Sequence, residues 1–406
     1  MQQIVQRPRN VHITPVYLAM AGVGASYVIN TFYAVWLVST ALSYSPGAGS
    51  LAMVLVMLPS VLLVSPAGWL SDVLGRKPVL LGVSVCNLLV LLAPIGASSV
   101  SLPWLFASLV LISVSTGVWT AVGAAQVIDS LDEHDELSMQ KHGISLGYVI
   151  DSGKLAAVGL LALAAMRAMI LVDVIVVFLL LLMAFGATAH IVSGSKSEAA
   201  GEAVGSVAIW PLILIFSVAI ALHGGSGTQQ AGMVSIAGVV SHWGTVWSNF
   251  AWTFGALVGS TVLWISLPMR DRRLILAFGV CGVGFLLLAM GGSWAILGIF
   301  INGVSAAMFW QALRITVIRK LPAKYRGRFS GVVVSSNNAT MIIGVVAILH
   351  FGVLVGYGIV FLGSTTVTLI AIVPLMIGLR RLEKVVAPPP VSVMLVNKRD
   401  VKSWAS

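Results

Sequence analysis

Asp151 and Lys154, in the stretch YVIDSGKLA (148–156), stand one helical turn apart within a segment apolar enough for lipid. A carboxylate can take up a proton and an ammonium can hold an anion. At i, i+3 spacing the two can also neutralise one another on a single helix face. If that helix enters a membrane near Gly143, Asp151 lies roughly 12 Å deep and Lys154 roughly 16 Å deep. The lysine is then close to the midplane of a hydrocarbon core about 30 Å thick. An unpaired charge there costs about 2.5–3.5 kcal/mol or more, so neither side chain is expected to face lipid. Three uses fit: a fixed ion pair, a ligand for an ionic substrate, and a protonation switch. The residues alone leave all three open.

The composition requires that a membrane surround this pair. Hydrophobic residues make up 58% of the 406 and charged residues only 9%, with a mean hydropathy of +1.02. Soluble domains carry about 25% charged residues. Apolar runs of helical length recur along the chain, whereas the short alternating segments of a membrane β-barrel do not. The net charge of +10 is explained by basic cytoplasmic loops. No basic run is interleaved with aromatics, which argues against nucleic acid. Cys86 and Cys281 fall inside apolar spans and read as packing residues. The polar N-terminus leads into a span too long for a signal-peptide core, so that span is expected to be retained.

Twelve spans are expected, at about 13–42, 49–70, 77–99, 103–128, 143–165 and 168–191, then 206–230, 240–267, 273–291, 294–316, 329–351 and 355–379. The polar stretch 192–205 reads as a linker between a first bundle (1–191) and a second (206–380), and 381–406 reads as a tail. With both termini in the cytoplasm, 20 of the 23 basic residues lie on the cytoplasmic side, as the positive-inside rule demands. Arg314, near the inner end of the tenth span, is expected to snorkel to the interface. Asp173, in the sixth, reads as interfacial structure. The acidic loop DSLDEHDELSMQK (129–141) has carboxylates able to pair with Arg326 or Arg328. His134 in this loop and His142 just after it lack regular metal-ligand spacing, and no metal is expected.

The two halves also repeat. KHGISLGYVIDSGK (141–154) and YRGRFSGVVVSSNN (325–338) both carry G-x-x-x-G, at Gly143 and Gly147 and at Gly327 and Gly331. That spacing lets helix backbones approach closely. In this register Asp151 aligns with Ser335 and Lys154 with Asn338.

The loop between the second and third spans reads GWLSDVLGRKPVL (68–80). It resembles the G-x-L-x-D-x-x-G-R-K signature of the major facilitator superfamily, matching at Gly68, Leu70, Asp72, Gly75, Arg76 and Lys77. The counterpart in the second half, WISLPMRDRRLIL (264–276), departs from it, with Trp264 and Pro268 where Gly and Asp would stand. The resemblance implies an all-α membrane protein of twelve transmembrane helices in two pseudo-symmetric six-helix bundles. It also implies a gating latch, in which Asp72 meets the N-terminal end of the eleventh span and Arg76 pairs with an acid. Spans 1, 4, 7 and 10, with contributions from 2, 5, 8 and 11, would line a central cavity. The candidate lining residues are Tyr27, Asn30, Tyr33, Trp119, Trp247, Asn249, Asn302, Gln311 and Asn338.

The function expected is secondary transport of a small organic solute by alternating access, with Asp151 as candidate proton site and Lys154 as its modulator. An uncoupled or anion-recognising facilitator and a non-transporting receptor on the same fold are the rivals. No catalytic constellation and no cofactor are expected. The expected partners are a small-molecule substrate, protons and the lipid bilayer. A monomer in the plasma membrane is the expected form.

Overall fold

The computed structural model describes residues 17, 19–26, 28, 46–92, 102–130, 136–164, 209–223, 242–265, 272–318 and 320–386. The sixth span, the linker, residues 387–406 of the tail, Asp173, Tyr27, Asn30 and Tyr33 lie outside these residues, whereas 381–386 of the expected tail continue the last helix. Every element among them is helical. After the helical residues 19–26 come α1 (Pro46–Leu74), α2 (Arg76–Leu92) and α3 (Leu102–Val118). A π-helical turn, Trp119–Gly123, joins α3 to α4 (Ala124–Ser130). Then follow α5 (Glu136–Ala164), α6 (Ile209–His223), α7 (His242–Ile265), α8 (Arg272–Met290) and α9 (Gly292–Leu313), which runs into a second π turn, Arg314–Ile318. The chain continues through α10 (Ala323–Val355), α11 (Tyr357–Ile370) and α12 (Ile372–Val386). Six of these segments are long and apolar enough to cross a membrane.

Glycine and proline set the element ends. α1 stops at Leu74 because Gly75 takes φ 92°, open to glycine at little cost, and α2 starts directly after it. Gly356, at φ 90°, separates α10 from α11 in the same way. Pro322, extended at ψ 142°, precedes the first turn of α10. The expected twelfth span is one segment of membrane length, Tyr357–Glu383, with i→i−4 hydrogen bonds carried through Ala371 where α11 passes into α12.

The outward faces are apolar. Leu62, Ile343, Leu354 and Ile359 are each at least 60% exposed, which water would penalise and acyl chains would accommodate. Inward, apolar residues form clusters around Phe216, Phe278 and Phe329, around Met20, Trp119 and Leu146, and around Phe285, Met341 and Phe361. Phe216 meets Phe329 edge-on at 5.6 Å.

Two crossings bring the site together, α1 with α10 and α5 with α7. The first uses the second G-x-x-x-G. A Cβ on Gly331 would stand 2.9 Å from the Val64 carbonyl oxygen, and one on Gly68 would meet the Gly327 backbone. Such contact leaves room for hydrogen only. Gly147 of the first motif serves a different end. Its bare face accommodates the Gln311 side chain rather than a second backbone.

Candidate functional site

At one end of the α1–α10 crossing, the Asp72 carboxylate accepts hydrogen bonds from the backbone N–H of Gly327 (3.0 Å) and of Arg328 (2.8 Å). These amides are on the fifth and sixth residues of α10, near its N-terminal end, where the helix dipole favours an anion. Arg76 donates to the same carboxylate at 3.1 Å and also to Asp129. Asp129, at the end of α4, accepts in turn from Arg326 at 2.8 Å. Asp72 and Asp129 are thus shared between the α1–α2 turn and the start of α10. Gly68 permits the close approach, Gly75 the reversal, and Lys77 is half-buried beside them without entering this network. The acidic loop's first carboxylate is therefore a bridge between elements. Residues 131–135 lie outside the described residues.

Further along the crossing is a cavity of about 120 Å³. Asp151 and Lys154 of α5 line it and are paired at 2.8 Å. Asp151 is 4% exposed. Its second oxygen accepts from Ser260 of α7 at 3.0 Å, and the Ser260 hydroxyl accepts from the Gln311 amide of α9 at 2.6 Å. The Lys154 ammonium also lies 4.7 Å from the centre of the Trp252 ring, a cation–π distance. Three helices thus hold one carboxylate. On the opposite wall Asn338, the repeat partner of Lys154, donates to Ser60 at 2.7 Å. The α5 residue is tied to α7 and its α10 counterpart to α1, so the repeat read in sequence recurs as paired contacts around one cavity.

Of the candidate lining residues, Gln311 and Asn338 line this cavity, and four of the aromatic and amide candidates do not. Trp119 turns away on its π turn and donates its indole N–H to Ser84 of α2 at 3.3 Å. Trp247 points outward, 61% exposed, and packs edge-on against Phe250 at 5.9 Å. Asn249 is half-buried on the same helix, off the lining. Asn302 is wedged against Gly284 of α8, and among the described residues neither of its amide atoms has a hydrogen-bond partner. Depth along a helix is legible from sequence, whereas azimuth is not. These four lie off the lining of this cavity.

Arg314 is the opposite error. It does not snorkel: it is 6% exposed and lines the cavity, where the Asp151 carboxylate acts on it from beyond ion-pair distance. A π turn, Arg314–Ile318, begins at this residue, one helical turn beyond Gln311. The i, i+3 spacing of Gln311 and Arg314 is the sequence signal that points to it. Ser260, which links Asp151 to Gln311, has none. Among the described residues no group of three histidine, cysteine, aspartate or glutamate residues is placed to hold a metal.

The sequence matches no protein-family model and no curated protein. The fold does match solved structures. The human organic anion transporter MFSD10 (TETRAN) superposes with a TM-score of 0.66 at 16% identity, over 91% of this chain and 100% of that one. A bacterial homologue of the iron transporter ferroportin, outward-facing, superposes at 0.64 and 14% identity, over 92% of this chain and 98% of that one. The proton:xylose symporter XylE, a major facilitator superfamily protein, superposes at 0.65 and 11% identity, over 90% of this chain and 95% of that one. Near-complete coverage in both directions, with the helix order and the crossings described above, makes this chain one with the major facilitator fold.

Proposed function

We propose that the chain is a secondary transporter that moves a small organic solute by alternating access about the α5–α7–α9 cavity. The observation that carries this reading is the Asp151–Lys154 pair. It is buried at mid-span, yet it opens onto a cavity and is tied across helices by Ser260 and Gln311. A purely structural pair needs no cavity. Ionisable groups at this depth are functional by default. The three transporters whose fold the chain shares are named for different cargoes, so they support a common mode of movement and identify no solute.

In this reading both termini and the Asp72–Asp129 network face the cytoplasm of a cell that carries the protein in its plasma membrane. The network holds that side closed. Opening inward separates the N-terminal end of α10 from Asp72 and frees the Gly327 and Arg328 amides from the carboxylate. Transport is coupled to protons at Asp151. Four groups face that carboxylate: Lys154 on its own helix, Ser260 on α7, Gln311 on α9 and Arg314 on the π turn. Protonation of Asp151 releases Lys154 from its counter-ion and raises the cavity's charge by one, changing what the cavity holds in each state.

The test is flux in proteoliposomes under an imposed pH gradient. Asp151→Asn should abolish uphill accumulation and leave solute exchange intact. Gradient-driven accumulation that survives Asp151→Asn unchanged removes the proton role. Absence of any flux, with ligand binding retained, favours a receptor on the same fold.

A further inference from the structure

The charge balance of the cavity points to a cargo. Two cations, Lys154 and Arg314, line it with one carboxylate, Asp151, and no other charged side chain is present in its lining among the described residues. Asp151 is committed to Lys154 at 2.8 Å and to Ser260 at 3.0 Å. Arg314 is left with no hydrogen bond or ion pair to its guanidinium among the described residues. An arginine cannot shed its proton to escape burial, and a buried charge without a partner is strongly destabilising. The guanidinium presents a planar fork of donors that matches a carboxylate or sulfonate. Trp252 and Trp310 add aromatic surface nearby, and Val23, Met57, Ala306 and Val334 make the rest of the wall apolar. At about 10–15 Å³ per water, the volume holds roughly ten non-hydrogen atoms.

We propose that Arg314 is the charge ligand of a monovalent, amphipathic organic anion, whose apolar body lies among Trp252, Trp310 and the aliphatic wall. Lys154 supplies a second, weaker attraction, and Asp151 is a tethered competitor for the same positive field. This rests on the transporter reading for its purpose but not for its test.

The test is binding to the purified full-length protein in nanodiscs, by calorimetry, with three probes of nearly equal size: phenylacetate, phenylacetamide and phenethylammonium. Phenylacetate should bind, and the amide and the ammonium should bind at least tenfold more weakly. Arg314→Gln should lose tenfold or more in phenylacetate affinity, and Arg314→Lys should recover part of it. If Arg314→Gln fails to fold, Asp151→Asn decides by sign: removing the competing carboxylate should tighten phenylacetate several-fold. Equal binding of the amide, unchanged affinity in Arg314→Gln, weaker phenylacetate binding in Asp151→Asn, or no binding of any probe each overturns the anion site. Arg314-dependent binding without flux in proteoliposomes would keep the site and refute transport.

Discussion

At the scale of single residues, the burial of Asp151 makes its partners measurable. Ser260 donates to the carboxylate while accepting from Gln311, so Ser260→Ala strands two buried groups at once. Leaving a buried donor or acceptor unpaired costs about 1–3 kcal/mol. The thermal midpoint of the purified protein should therefore fall by several degrees, and Ser260→Thr should restore much of it. The ion pair itself can be separated into structural and functional parts. Asp151→Leu or Lys154→Leu alone leaves a buried charge and should cost about 3–5 kcal/mol, whereas the double replacement should cost only the about 1–3 kcal/mol of a Ser260 hydroxyl left without its acceptor. A stable double variant that still transports would make the pair a fixed structural bridge. A stable double variant without flux supports a working site.

At the scale of elements, the α1–α10 crossing depends on glycine at Gly68, Gly327 and Gly331, where an added Cβ would meet mostly backbone atoms that cannot rotate away. Gly68→Leu should force the two helices apart, by more than the about 1–3 kcal/mol of ordinary overpacking. It should also detach Asp72 from the Gly327 and Arg328 amides of α10. A maleimide reporter at Ser71→Cys, buried in the native form, should then label several-fold faster in the Gly68→Leu protein. Equal labelling rates would mean that the crossing holds Ser71 by other contacts. The residues that make this crossing are legible in sequence, because a signature at fixed spacing and a glycine pair specify a face as well as a depth. The cavity wall is only partly legible. Asp151, Lys154, Gln311 and Asn338 are conspicuous as polar groups in apolar spans, whatever face they take. Trp119 and Trp247 are not, because an aromatic packs as well against a neighbouring helix or lipid as against a solute. Arg314 departs from expectation because snorkelling assumes a regular helix to the interface, and a π turn intervenes.

At the scale of the whole molecule, alternating access requires that contacts around the cavity be made in one state and broken in another, since packed interfaces switch rather than stretch. Ser60 and Asn338 bridge α1 and α10 beside the cavity with side-chain atoms 2.7 Å apart. In a background with Cys86→Ser and Cys281→Ala, the pair Ser60→Cys and Asn338→Cys places two thiols across this contact, and their oxidation to a disulfide tests it. If α1 and α10 must separate at this level in each cycle, oxidation should reduce flux at least tenfold and reductant should restore it. Substrate binding to the oxidised protein should persist from the side that remains open. Undiminished flux with the bond formed, verified by mobility on a gel, would place the moving interface elsewhere, with the α5–α7 crossing next to be bridged. The two crossings are related by the internal repeat. A molecule that rocks on one of them must therefore release contacts near Asn338 while keeping those around Asp151, or the reverse.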